Sequence, residues 1–207
     1  MLEARQLTAV RGDRRLFSQL SFSVAAGELL YVRGVNGSGK TTLLRMLAGL
    51  TQPAEGEIEW DGRPIGVGDD RFCQDVFYLG HRAAIKDDLD AIENLKIAST
   101  LAGQTIELTE ARKALTVMGL GDHYDLPVRV LSQGQRRRVA LARLLNAEAR
   151  LWILDEPFTA LDTLAIDHLR MSIREHLGRG GVVVLTTHQQ VEFDASVVSR
   201  ELQLGRL

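Results

Sequence analysis

Strand-like segments open the chain. Leu2–Val10, Leu16–Val24 and Glu28–Arg33 are separated by the turn-rich stretches Arg11-Gly12-Asp13 and Ala26-Gly27. Leu43, Leu44, Met46 and Leu47 then recur at helical spacing, which predicts a helix over Lys40–Gly49 that stops at the glycine. Short strands are expected at Gly56–Trp60 and Val76–Leu79. From about Asp87 to Val130 the pattern is helical, with helices at Ala91–Leu101 and Thr109–Met118 and Thr109 as N-cap. The last third alternates. Leu151–Leu154 and Val182–Leu185 are fully apolar, as central parallel strands covered on both faces are, and Thr163–Leu177 reads as the crossover helix between them. The expectation is one α/β domain over residues 1–207, with a mostly parallel core sheet, an N-terminal antiparallel β region and a helical insertion. Residues 1–86 and 131–207 form its core and about 87–130 the helical subdomain.

Composition narrows the classes. The chain has 207 residues, 45% of them apolar, enough for a proper core. A net charge of -2 gives no long-range field for nucleic acid, and no nucleic-acid partner is expected. Of the 25 basic residues only Lys40, Lys86, Lys96 and Lys113 are lysines. One cysteine, Cys73, excludes an internal disulfide and reads as a plain thiol. No secretory signal and no membrane-spanning run is expected, so any membrane part would come from another chain.

Residues 34–41 read Gly-Val-Asn-Gly-Ser-Gly-Lys-Thr, a complete G-x-x-x-x-G-K-[ST] loop between an apolar strand and a helix. Glycines let the backbone fold into a nest of N–H donors, and the helix N-terminus adds partial positive charge. Gly34, Asn36, Gly37, Ser38, Gly39, Lys40, Thr41 and Thr42 are the candidate nucleotide-binding residues. Lys40 would bridge the β- and γ-phosphates of ATP, and the Thr41 hydroxyl would ligate Mg²⁺. The loop alone leaves G proteins, kinases and RecA-like ATPases open. Leu151–Leu154 delivers a second piece, Asp155-Glu156-Pro157: Asp155 for the metal, and Glu156 as general base on the attacking water.

Residues 131–135, Leu-Ser-Gln-Gly-Gln, lie between these two pieces. That order resembles the ATP-binding-cassette (ABC) ATPases, whose signature loop is Leu-Ser-Gly-Gly-Gln. The resemblance covers nearly the whole chain. It implies a P-loop ABC fold and a second copy of the chain, since the signature completes a partner's ATP site. Ser132, Gln133, Gly134 and Gln135 would touch the partner's nucleotide. Asp162, in Thr159-Ala160-Leu161-Asp162, would lie in the loop along the dimer interface. His188, in Thr186-Thr187-His188, would be the switch residue at the γ-phosphate. Ser132 is also a good helix N-cap. The run Arg136–Arg138 is read as a solvated face of a helix that turns Val139, Ala142 and Leu145 inward. His123, His168 and His176 carry no such context.

Within the family, Leu-Trp-Ile-Leu-Asp-Glu-Pro-Phe-Thr-Ala-Leu-Asp at 151–162, Leu-Thr-Thr-His-Gln at 185–189 and Tyr-Leu-Gly-His at 78–81 are most similar to the ATPase subunits of cytochrome c maturation and heme export. That resemblance implies membrane transporter subunits and, indirectly, a heme chaperone as partners, at the cytoplasmic face of an inner membrane. The rivals are a transporter of another cargo and a soluble ABC ATPase acting on ribosomes or DNA. Three positions depart from the family pattern. Arg11 stands where many members stack an aromatic on adenine. His81 stands where a glutamine usually reaches Mg²⁺ or the water. Gln133 replaces the first glycine of the signature.

Overall fold

The computed structural model describes residues 1–121, 123–189 and 191–205. Strands β1 (Leu2–Arg11), β2 (Arg14–Val24) and β3 (Glu28–Gly34) lead into helix α1 (Lys40–Leu47). Then follow β4 (Glu55–Trp60), β5 (Arg63–Pro64), α2 (Asp70–Asp75) and β6 (Val76–Leu79). Helices α3 (Ala91–Leu101), α4 (Leu108–Val117) and α5 (Gln133–Ala142) precede β7 (Leu151–Asp155), α6 (Thr163–Gly178), β8 (Val182–Thr186) and β9 (Val198–Leu204). The chain divides into two compact units. One takes residues 1–78, 149–156 and 175–207, the other 79–148 and 157–174.

The first unit holds two sheets. The antiparallel one has the order β2-β1-β4-β5, and the other the order β6-β7-β8-β3-β9. In the second, β7 runs parallel to β8, and β3 runs parallel to both β8 and β9. β7 and β8 are buried at every position, which is why their sequences do not alternate. α1 buries Leu43, Leu44, Met46 and Leu47 into a core with Leu30, Val32, Ile153 and Val184. Burying each such side chain contributes ~1.5–3 kcal/mol, and α1 begins where the phosphate loop ends, so this packing fixes the loop. Trp152 stacks on His176 with ring centroids 3.9 Å apart, and burial pushes the His176 imidazole down to about 4.

Three elements escaped the pattern: β5, α2 and β9. β9 is mostly exposed, with only Leu204 buried, so its side chains carry no core periodicity. α2 spans a turn and a half and is held by its Asp69 cap. The N-terminus of α4 also differs. Its N-cap is Glu107, not Thr109, and Glu107 closes a reciprocal capping box with Glu110.

In the second unit, α3 is capped by Asp90 and Glu93, and Asn94 is buried with its amide on the Lys86 and Asp90 carbonyls. The arginine run on α5 is not a solvated face. Arg137 is only 7% exposed and donates to the Gly80 carbonyl at 3.1 Å. Arg136 donates to the Arg129 carbonyl at 2.7 Å. Guanidinium donors can be buried when backbone carbonyls receive them, and helical periodicity cannot foresee that. Among the described residues no helix is long and apolar enough to cross a membrane.

Candidate functional site

β3 ends at Gly34, and the chain turns through a glycine loop into α1. Gly34, Gly37 and Gly39 have φ of 148°, 80° and 100°. Gly34 also lacks room for a side chain, since a Cβ there would lie 2.6 Å from Ser38 Oγ and 2.7 Å from the Leu204 carbonyl. A Cβ at Gly39 would sit 3.1 Å from Leu16 and Phe17. The strand missed in the sequence, β9, is thus one wall of the loop.

Ser38 is buried, and its Oγ has no hydrogen-bond partner among the described residues. A buried hydroxyl without a partner is costly, and an anion in the loop would satisfy it. Lys40 Nζ folds back onto the Gly34 carbonyl at 2.7 Å and the Val35 carbonyl at 3.3 Å. The loop therefore offers a cation, a helix start and an orphan hydroxyl, which together suit phosphate. Asn36 and Thr41 are exposed and Thr42 is half-buried.

β7 brings its carboxylates to the same place. Thr41 Oγ1 donates to Asp155 Oδ2 at 2.8 Å. This pair is a hard-oxygen donor set that could hold a small divalent cation completed by phosphate and water oxygens. Thr186, at the end of β8, lies opposite Asp155 in register. Its hydroxyl donates to Asp155 Oδ1 at 2.7 Å and accepts from the Glu156 N–H at 2.9 Å. Thr186 was not among the sequence candidates; its register opposite Asp155 was the available signal. Glu156 adopts φ of 52°, a left-handed conformation that costs a non-glycine residue of order 1 kcal/mol or more. That turn aims its carboxylate at His188, with Oε2 accepting from the His188 N–H at 3.2 Å and Oε1 lying 3.4 Å from His188 Nε2. Tyr78 is half-buried, and burial, then the Asp155 carboxylate, push its hydroxyl above the usual range.

Phosphate loop, Asp155, Glu156 and His188 thus assemble within one unit. Arg11 is exposed at the β1–β2 hairpin. In the other unit, Ser132 caps α5, its Oγ accepting from the Gln135 N–H at 3.2 Å while Gln135 Oε1 accepts from the Ser132 N–H at 2.8 Å. Gln133 is exposed. A Cβ on Gly134 would lie 2.6 Å from the Ala160 carbonyl, and Asp162 pairs with Arg138 at 3.6 Å. Signature and 159–162 loop are therefore in direct contact, an arrangement that needs the second glycine. His81 is exposed, and its carbonyl accepts from Arg137 at 3.4 Å.

The model of the ABC transporter family matches residues 17–159. A cytochrome c biogenesis ATP-binding export protein CcmA from Nitrosospira multiformis is 54% identical over 204 residues, 98% of each chain. The protein of that name from Escherichia coli is 47% identical over 200 residues, 97% of this chain and 95% of its own. Among solved structures, a putative ABC transporter ATP-binding protein from Pyrococcus furiosus has a TM-score of 0.81 at 28% identity, covering 97% of this chain and 96% of that one. An ATP-binding subunit of an ABC transporter has a TM-score of 0.85 at 25% identity, covering 98% and 85%. The chain belongs to the ABC transporter family, as an ATP-hydrolysing subunit.

Proposed function

We propose that the chain drives a transporter of cytochrome c biogenesis, hydrolysing ATP with Mg²⁺ as two copies at the cytoplasmic face of a bacterial inner membrane. The observation that carries the chemistry is the contact of Thr41 with Asp155, one residue before a carboxylate that faces His188. The biogenesis role draws support from full-length identity of 54% and 47% to proteins named for it.

In this reading the loop N–H groups, Ser38 and Lys40 bind the phosphates, with Gly34, Asn36, Gly37, Gly39 and Thr42 shaping the cradle. Thr41 and Asp155 would hold Mg²⁺, which supplies charge neutralisation on the phosphate oxygens. Glu156 takes the proton of the attacking water, and His188 donates to the γ-phosphate. Thr186 holds both carboxylate residues in register. Arg11 lies over the base; a guanidinium there contributes ~0.5–2 kcal/mol against ~1–3 for an aromatic, so phosphate contacts dominate affinity. His81 serves in place of the family glutamine, at the metal or its water. Ser132, Gln133, Gly134, Gln135 and Asp162 of one copy complete the site of the other. The segment around His81–Asn94 would meet the membrane subunits, and a heme chaperone would be served through them.

Co-purification from detergent-solubilised membranes tests the assignment. Heme-handling membrane subunits should accompany the chain. Recovery with ribosomes, DNA or a transporter of another cargo would overturn it.

A further inference from the structure

His188 has to present its side chain at a fixed place, yet it lies on an exposed turn after β8. β3 supplies the restraint. Tyr31 and Arg33 are two residues apart on the strand and so share a face. The Tyr31 hydroxyl, buried, donates to the Val191 carbonyl at 2.8 Å. Arg33 Nη1 donates to the Thr187 carbonyl at 3.1 Å. Thr187 precedes His188 and Val191 follows it by three residues, so the two side chains hold the backbone at one point before His188 and one after it. They also fasten each other: the Arg33 guanidinium lies over the Tyr31 ring, 5.0 Å from its centroid. Glu201 approaches Arg33 Nε at 3.4 Å but is 64% exposed, so that pair contributes little.

We infer that Arg33, braced by Tyr31, is a positioning residue for ATP hydrolysis, holding the backbone at Thr187 so that His188 and the Glu156 carboxylate keep their contact. Arg33 lies just outside the glycine loop of residues 34–41. It acts through the Thr187 carbonyl, which belongs to the same peptide group as the His188 N–H that Glu156 accepts. Leucine at 33 would fit the strand and leave that carbonyl without its donor. Lysine could still reach it. The inference rests on the reading of His188 as the γ-phosphate contact.

The test is steady-state ATP turnover of Arg33→Leu, Arg33→Lys, Tyr31→Phe, His188→Ala and the double variant Arg33→Leu/His188→Ala, each with ATP affinity measured separately. A misplacement near 1 Å can cost ~10²-fold, so Arg33→Leu should lower kcat by ~10- to 10²-fold while KM and ATP affinity stay within about twofold. Tyr31→Phe should lower kcat in the same sense, and Arg33→Lys should restore most of the loss. In the His188→Ala background Arg33→Leu should cost nothing further, because the residue it serves is gone. Wild-type kcat in Arg33→Leu, a loss of ATP affinity that matches the loss of turnover, or full additivity with His188→Ala would overturn the inference alone. A silent His188→Ala would remove the reading of His188, and this inference with it.

Discussion

Thr186→Val removes one oxygen and should disturb both carboxylate residues. Thr186 is fully buried, and its hydroxyl bridges Asp155 Oδ1, at 2.7 Å, and the Glu156 N–H, at 2.9 Å. Valine matches threonine in shape but leaves Asp155 without a charge-assisted bond worth ~1.5–3 kcal/mol and an N–H facing a methyl, worth ~1–3 kcal/mol. Glu156 is only partly buried, so water recovers some of the second. A total of about 3 kcal/mol follows, which for a chain of this size lowers Tm by roughly 6–12 °C. Turnover should fall further than stability suggests, by ~10²-fold, because the left-handed Glu156 loses the anchor that aims it. Thr186→Ser keeps both bonds and should cost about 1 kcal/mol, with turnover near wild type. The assays are thermal unfolding and phosphate release at saturating ATP. A valine variant within about 2 °C and twofold of wild type would refute the bridge.

Other outcomes follow from the same geometry. The His176 imidazole sits at about 4 in the folded protein against an ordinary ~6.5, so its stabilisation is complete above pH ~6.5 and drains away as pH falls towards 4. His176→Phe keeps the stack on Trp152 and should flatten that fall in a Tm-against-pH series; an unchanged slope would assign it to other groups. His81→Gln should keep turnover within about threefold, since an amide oxygen spans a similar reach. A loss beyond tenfold would mean the imidazole itself is required. Glu156→Gln should double its mass on light scattering when ATP is added, and adding Ser132→Arg should abolish the doubling. A monomer with ATP bound would count against the two-copy site.

The parallel strands, the phosphate loop and the acidic strand end were legible because each is written in contiguous residues. Leu151–Asp155 and Val182–Thr186 declare themselves by unbroken burial. Gly34 to Thr41 declares itself by glycines that the left-handed turns and the Leu204 carbonyl require. What escaped depends on partners distant in sequence. Thr186 matters only through its register with Asp155, 31 residues away. β9 is exposed and pairs through its backbone, so its side chains say little. Arg137 looked solvated because only the fold brings the Gly80 carbonyl to it. The left-handed Glu156 carries no glycine to announce it.

The account stands on Glu156 as the base that activates water. The direct measurement is ATP turnover of Glu156→Gln beside its ATP affinity. Turnover should fall by ~10²–10⁴-fold while affinity stays within about twofold, because the amide keeps the shape and loses the proton acceptor. Turnover at the wild-type rate would contradict the account.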